Sequence, residues 1–158
     1  MKKILLTLMV SALIFGCKSK SATETKLNRN SQVMMKGDWV IDRVTTPASN
    51  LVAINSFGLA DSGCFEGSTW HFISNNNKGD MKLNGGSNCP SFSSPITWFI
   101  NRDNEFVLKV LNAGEKAKKV RDGYVLHVQN QSDNEFELYD MVDVAGKQSK
   151  VVYHFSRR

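Results

Sequence analysis

His71, His127 and His154 are the side chains of this sequence best suited to chemistry near neutral pH, because imidazole changes charge there. Gathered at one point, three imidazoles could hold a transition metal or move a proton. Their neighbours point elsewhere. Trp70 and Phe72 flank His71, Tyr124 and Leu126 lead into His127, and Tyr153 and Phe155 flank His154. Successive side chains of an extended chain point to opposite faces, so if these larger groups face a core, the histidines face solvent on three separate strands. A shared metal centre and three separate, exposed imidazoles are both open readings, and the alternation favours the second. The sequence contains no nucleophile elbow, phosphate-binding glycine loop or metalloprotease helix. Gly85-Gly86 and the spaced pair Gly63 and Gly67 read as turns. The expectation is therefore a non-enzymatic protein without metal or cofactor.

The aromatic residues carry the stronger signal. Trp70, Phe72, Trp98, Phe106, Tyr124, Phe136, Tyr153 and Phe155, with Leu108 and Leu126, recur at alternate positions of extended stretches. They have two uses. They can fill a core outright, or they can line a cavity for a small hydrophobic molecule that enters past the loop carrying Phe57 and Leu59. A filled interior and a hollow one share the same alternation, so both stand at this level.

The elements that position these residues follow from a period of two that begins at Gly37. Alternating stretches lie at 39–44, 68–73, 79–84, 96–100, 105–110, 124–128, 135–139 and 150–155, separated mostly by short turns rich in Asn, Asp and Gly. A longer connection at 50–61 has room for one helical turn. No amphipathic stretch is long enough for a crossover helix, so the sheet is expected to be antiparallel and meandering. Eight such strands close into an all-β up-and-down barrel or, alternatively, stack as a β-sandwich. Closure has the advantage of removing both exposed edges. At 158 residues with 41% hydrophobic and 22% charged composition, the chain has room for one such domain and little else.

The N-terminus is an address. Lys2 and Lys3 precede the apolar run from Ile4 to Phe15, which is too short to span a bilayer and reads as a secretory signal over residues 1–16. Its ending, Ile14-Phe15-Gly16-Cys17, resembles a bacterial lipobox, with Phe15 bulkier than the usual occupant. That resemblance implies an exported lipoprotein whose Cys17 carries acyl chains such as palmitate. Two or more chains anchor a protein stably to a membrane. Residues 17–33 then form the lipidated cysteine and a polar tether, structureless to about Gln32, and residues 34–158 form the barrel domain. Lys18 occupies the place where an aspartate retains such lipoproteins in the inner membrane, so the resemblance implies the outer membrane. The acidic cluster that sends many related lipoproteins to the cell surface is missing, which favours the periplasmic face.

The whole-chain charge of +5 falls to +3 without Lys2 and Lys3, at 18 basic against 15 acidic residues. Lys116, Lys118 and Lys119 form the only tight basic group, countered by Glu115 and Asp122. That is a solvated loop rather than a continuous basic stripe, and no nucleic-acid partner is expected. With Cys17 assigned to lipid, Cys64 and Cys89 remain as an even pair in an oxidising compartment. A disulfide between them is the favoured reading; two free thiols or half of a metal site are the alternatives.

Gly37-Asp38-Trp39 opens the first strand directly after the tether. A glycine, any residue and a tryptophan at this place resemble the lipocalin signature. Over residues 34–158 the chain looks like the lipocalin-like lipoproteins of Bacteroidetes-type bacteria. The resemblance implies that Trp39 plugs the closed end of a barrel and that Arg157 or Arg158, after the last strand, packs over it. It also implies a membrane-anchored protein that binds a small hydrophobic ligand. The alternative is a non-catalytic structural or interaction lipoprotein, with a filled barrel and a protein partner in the envelope.

Overall fold

The computed structural model describes residues 28–46, 53–112 and 123–158; Cys17, the signal and the basic group at 116–119 lie outside them. The elements are α1 (Arg29–Met34), β1 (Gly37–Thr45), β2 (Asn55–Ser56), β3 (Ala60–Asp61), a 3₁₀ turn (Ser62–Phe65), β4 (Thr69–Ile73) and β5 (Lys78–Gly86). They continue with β6 (Cys89–Ile100), β7 (Glu105–Val110), β8 (Tyr124–Gln129), β9 (Glu135–Val144) and β10 (Lys147–Arg157). β4 to β10 pair with their sequence neighbours, and β1 closes the sheet between β10 and β4. The result is a closed, antiparallel, eight-stranded barrel, so the β-sandwich alternative does not apply. β2 and β3 form a separate two-stranded hairpin.

Alternation puts one face of each strand inside. In β7, Phe106, Leu108 and Val110 are buried while Glu105, Val107 and Lys109 are partly exposed. In β10, Ser149, Val151, Tyr153 and Phe155 are buried and the residues between them are not. The register carries this pattern around the barrel, with Trp39 opposite Trp70 and Phe155 opposite Phe136. A slip of one residue would turn every ring outward, so burial of this face specifies the register.

The closed end is sealed by α1 and Trp39. Trp39 is fully buried, and its indole N–H donates to the Met35 carbonyl at 2.8 Å. The Arg157 guanidinium lies 4.3 Å from the indole centroid. Its fork donates to the carbonyls of Lys36 and Met34 at 3.0 Å each, and its Nε donates to the Asp133 carbonyl. One side chain thus ties together the end of α1, the indole and the β8–β9 connection. Gly37 has φ of +120°, and a Cβ there would meet Arg157 Nη1 at 2.9 Å. The glycine two residues before the tryptophan therefore serves both backbone conformation and the passage of the arginine. Arg158 sits beside this arrangement, its N–H donating to the Asp38 carbonyl.

Several boundaries differ from the sequence expectation. Residues 29–34 are helical rather than part of a structureless tether: Asn28 caps Ser31 N–H at 3.2 Å, and Gln32 is fully buried. The Gln32 amide donates to Asn77 and its carbonyl accepts from Ile100 N–H, so a polar residue is consumed inside the floor. Polarity concealed the helix, because such partners lie far away along the chain. β6 begins at Cys89 rather than at 96, although the added stretch contains Pro90 and Pro95 and proline is uncommon within a sheet. Pro95 nevertheless pairs with Asp80, and its carbonyl accepts from Leu111 N–H. β9 and β10 also run further than expected, to Val144 and from Lys147.

Replacing Arg157 with alanine is expected to lower stability by about 2–3 kcal/mol, through loss of charge-assisted hydrogen bonds and the cation–π contact. Arg157→Lys should recover less than half of that, because an ammonium cannot reproduce the fork. Urea denaturation of the two variants beside the parent protein measures both.

Candidate functional site

The open end of the barrel is covered by residues 53–68, which hold the β2–β3 hairpin and the 3₁₀ turn. Cys64 and Cys89 are joined by a disulfide, as the sequence suggested. The bridge staples the covering segment to the start of β6. The enclosed loop of 25 residues corresponds to about 3 kcal/mol on the chain-entropy account.

This segment brings two rings into the core, the fully buried Phe65 and, at the hairpin turn, Phe57. Phe57 is 9% exposed and packs against Phe65 at 5.0 Å, Tyr124 at 5.3 Å, Tyr153 at 5.4 Å and Trp70 at 6.3 Å between centroids. Its φ is +54°, and Gly58 beside it has φ of +62°. With Leu59 N–H donating to the Ser56 carbonyl, these two residues form the centre of a tight hairpin turn. Glycine, asparagine or aspartate normally occupies the first of these positions. A bulky L-residue in left-handed conformation costs about 1–2 kcal/mol, which ring burial here must offset. Two hydroxyls fasten the turn to the barrel: Tyr124 donates to the Phe57 carbonyl and Tyr153 to Ser56 Oγ, both at 2.5 Å.

Below Phe57 the rings touch one another down to the floor. Trp70 stacks on Phe72 at 6.0 Å, Phe72 meets Trp98 at 5.0 Å and Phe106 at 5.8 Å, and Phe136 stacks on Phe155 at 4.4 Å and meets Trp39 at 4.6 Å. Leu108 and Leu126 are buried in the same core. The expected interior residues Trp70, Phe72, Trp98, Phe106, Leu108, Leu126, Phe136 and Tyr153 are thus brought together, with Tyr124 half-buried at the mouth. All of them belong to the wall. Phe57 does not.

A cleft of about 250 Å³ lies between the covering segment and the β9–β10 turn, lined by Ile54, Asn55, Val142 and Val144 among others. Below it, Asp140 continues the inward series of Phe136 and Leu138 on β9. The β8–β9 ladder spans only His127–Gln129 against Glu137–Tyr139, whereas β9 stays paired with β10 as far as Val144. Asp140 therefore stands just beyond the point where that ladder stops. Burial raises its pKa above the ordinary aspartate value, against lowering by the Met141 N–H and by His127. The Tyr153 phenol is pushed up to about 12 by burial, against the bond to Ser56 and with the charges of Asp140 and Asp61 adding to the rise.

The histidines do not converge. His71 Nδ1 pairs with Asp38 at 2.6 Å, His127 stacks on Tyr139 at 4.9 Å, and His154 lies between Glu137 at 3.0 Å and Thr45 Oγ1 at 2.9 Å. Burial would raise the Glu137 pKa, but bonds from Gln129 and Asn130 together with His154 hold it below the ordinary value. Among the described residues, no three His, Cys, Asp or Glu side chains are arranged to hold a metal. Larger clefts of about 670 Å³ at Arg43, Asn130 and His154, and about 330 Å³ at Asp38, His71 and Arg158, are polar grooves on the outer wall.

No family model matches the chain, and no curated protein sequence matches it. Two solved structures are similar in shape. One is an odorant-binding protein, OBP1, with 12% identity and a TM-score of 0.47, covering 80% of this chain and 73% of that one. The other is a complex of bovine odorant-binding protein with a selenium-containing odorant, with 11% identity, a TM-score of 0.45, and coverage of 85% and 75%. The barrel assignment rests on the strand order itself.

Sequence reasoning missed Ser56, Phe65 and Asp140 as parts of the mouth. Asp140 was legible, since it keeps the spacing of Phe136 and Leu138, but the seventh stretch was expected to end at Tyr139. A raised aspartate pKa means the folded state binds the proton more tightly than the unfolded one. Its contribution is favourable below the folded value and declines as pH rises through the carboxylate range. Asp140→Asn is therefore expected to raise the melting temperature at pH 7 relative to the parent protein, and to lose that advantage near pH 3.5. Thermal melts across this range measure it.

Proposed function

We propose that this protein is an exported, membrane-anchored binding protein that holds a small hydrophobic molecule at the mouth of its barrel, in the slot filled by the Phe57 ring. The observation that carries this reading is Phe57 itself: an aromatic ring in a strained turn, inserted among wall aromatics by a segment outside the barrel. Unfavourable backbone geometry that persists at an open end is a recurrent feature of gating and ligand-clamp sites. Withdrawal of the hairpin would vacate the ring slot among Trp70, Tyr124 and Tyr153. The lower barrel, packed ring on ring, is scaffold in this reading.

Anchoring belongs to the same proposal. Cys17 carries the acyl chains, the tether runs from it into α1 at the closed end, and the barrel sits at the outer membrane, facing the periplasm. The unbroken ring contacts from Trp39 upward favour a second reading, in which the barrel is solid throughout and the protein serves a structural or docking role in the envelope.

Titration with the fluorescent apolar probe N-phenyl-1-naphthylamine separates the two. Phe57→Ala should bind the probe at least about tenfold more tightly than the parent protein, because the slot no longer has to be vacated. A parent protein and variant that both leave the probe dark would establish the solid barrel. For the anchor, Cys17→Ser is expected to abolish incorporation of labelled palmitate and to release the protein from the membrane fraction; retained label would remove Cys17 from the account.

A further inference from the structure

The mouth is apolar on most sides, yet it contains a carboxylate whose bond within the fold comes from a backbone N–H, that of Met141, and not from a cation. Asp140 lies on the inward series of β9 and is half-buried. It pairs across the ladder with the buried Val151, the next inward position after Leu138 opposite Tyr153, and the Tyr153 ring packs against Phe57. The neighbouring strand gives it no ladder on the β8 side beyond His127. The charged groups around it are otherwise engaged. Lys150, on the opposite face of β10, donates to Gln129 and lies 3.9 Å from the Tyr139 ring centroid. His127 stacks on that same tyrosine. Asp61 accepts from Ile54 and Gly63 N–H. No ion pair to Asp140 forms among the described residues, in contrast to Asp38 and Glu137, each paired with a histidine on the outer wall.

A half-buried carboxylate without a cation is costly, and a ligand can relieve that cost only by bringing positive charge or a strong donor. A fatty acid would do the opposite, placing a second anion beside Asp140 and Asp61. We propose that the mouth selects an amphiphile with a protonated amine, its apolar body taking the Phe57 slot and its nitrogen pairing with Asp140. This inference rests on the mouth-binding reading above and adds the chemical class of the ligand. Tyr153 Oη and Ser56 Oγ, already bonded to each other, stand near the head group as further polar partners.

Three probes of equal chain length decide it: octylamine, octanol and octanoate, each displacing N-phenyl-1-naphthylamine. The protein is the full chain carrying Cys17→Ser, which removes the thiol that would be acylated, and the same chain with Asp140→Asn or Phe57→Ala. Octylamine should compete about tenfold or more better than octanol, the return of a charge-assisted hydrogen bond, and octanoate should be weakest. Asp140→Asn should erase the advantage of octylamine over octanol. Equal competition by all three head groups, or an unchanged order in Asp140→Asn, overturns the amine selectivity and leaves mouth binding standing. Failure of every probe even with Phe57→Ala overturns mouth binding itself, and the head-group inference falls with it.

Discussion

An eight-stranded closed sheet encloses a space that has to be filled, by side chains or by a guest, and everything else in this molecule answers to that requirement. The wall supplies most of the filling. Trp70, Phe72, Trp98, Phe106, Phe136 and Phe155 interlock below, while Trp39 closes the floor beneath the Arg157 fork. The upper end is filled differently. There the ring comes from a hairpin that is no part of the barrel, and its backbone adopts a conformation that a phenylalanine does not favour.

That difference gives the two ends distinct mechanical character. The floor is over-determined: indole, guanidinium, α1 and the β8–β9 connection share hydrogen bonds in several directions. The mouth is held by the disulfide at one side of the covering segment and by two phenolic hydroxyls at the turn. Asp140 adds an electrostatic component: it stands half-buried just past the point where the β8–β9 ladder stops at His127, and burial raises its pKa.

Much of the architecture was legible in sequence because a period of two is local. Each of the eight stretches showed which residues share a face, and Asn- or Gly-rich turns between them showed that the chain doubles back. The cysteine pair was legible for a different reason: export and parity leave few partners. What local pattern could not convey is the fate of polar residues whose partners are remote. Gln32 looked like tether but is satisfied by Asn77 and Ile100, and residues 89–95, outside the expected stretches, extend β6 with Pro95 opposite Asp80.

Residue alternation by itself therefore determined the strands and which residues share a face, because side-chain direction along an extended chain depends only on parity. Tertiary structure decided the rest. It chose closure over stacking, Arg157 over Arg158 as the partner of Trp39, and Phe57 as the ring that completes the mouth. Those choices depend on distances between residues dozens of positions apart, set when the last strand pairs with the first, and no short window of sequence contains them.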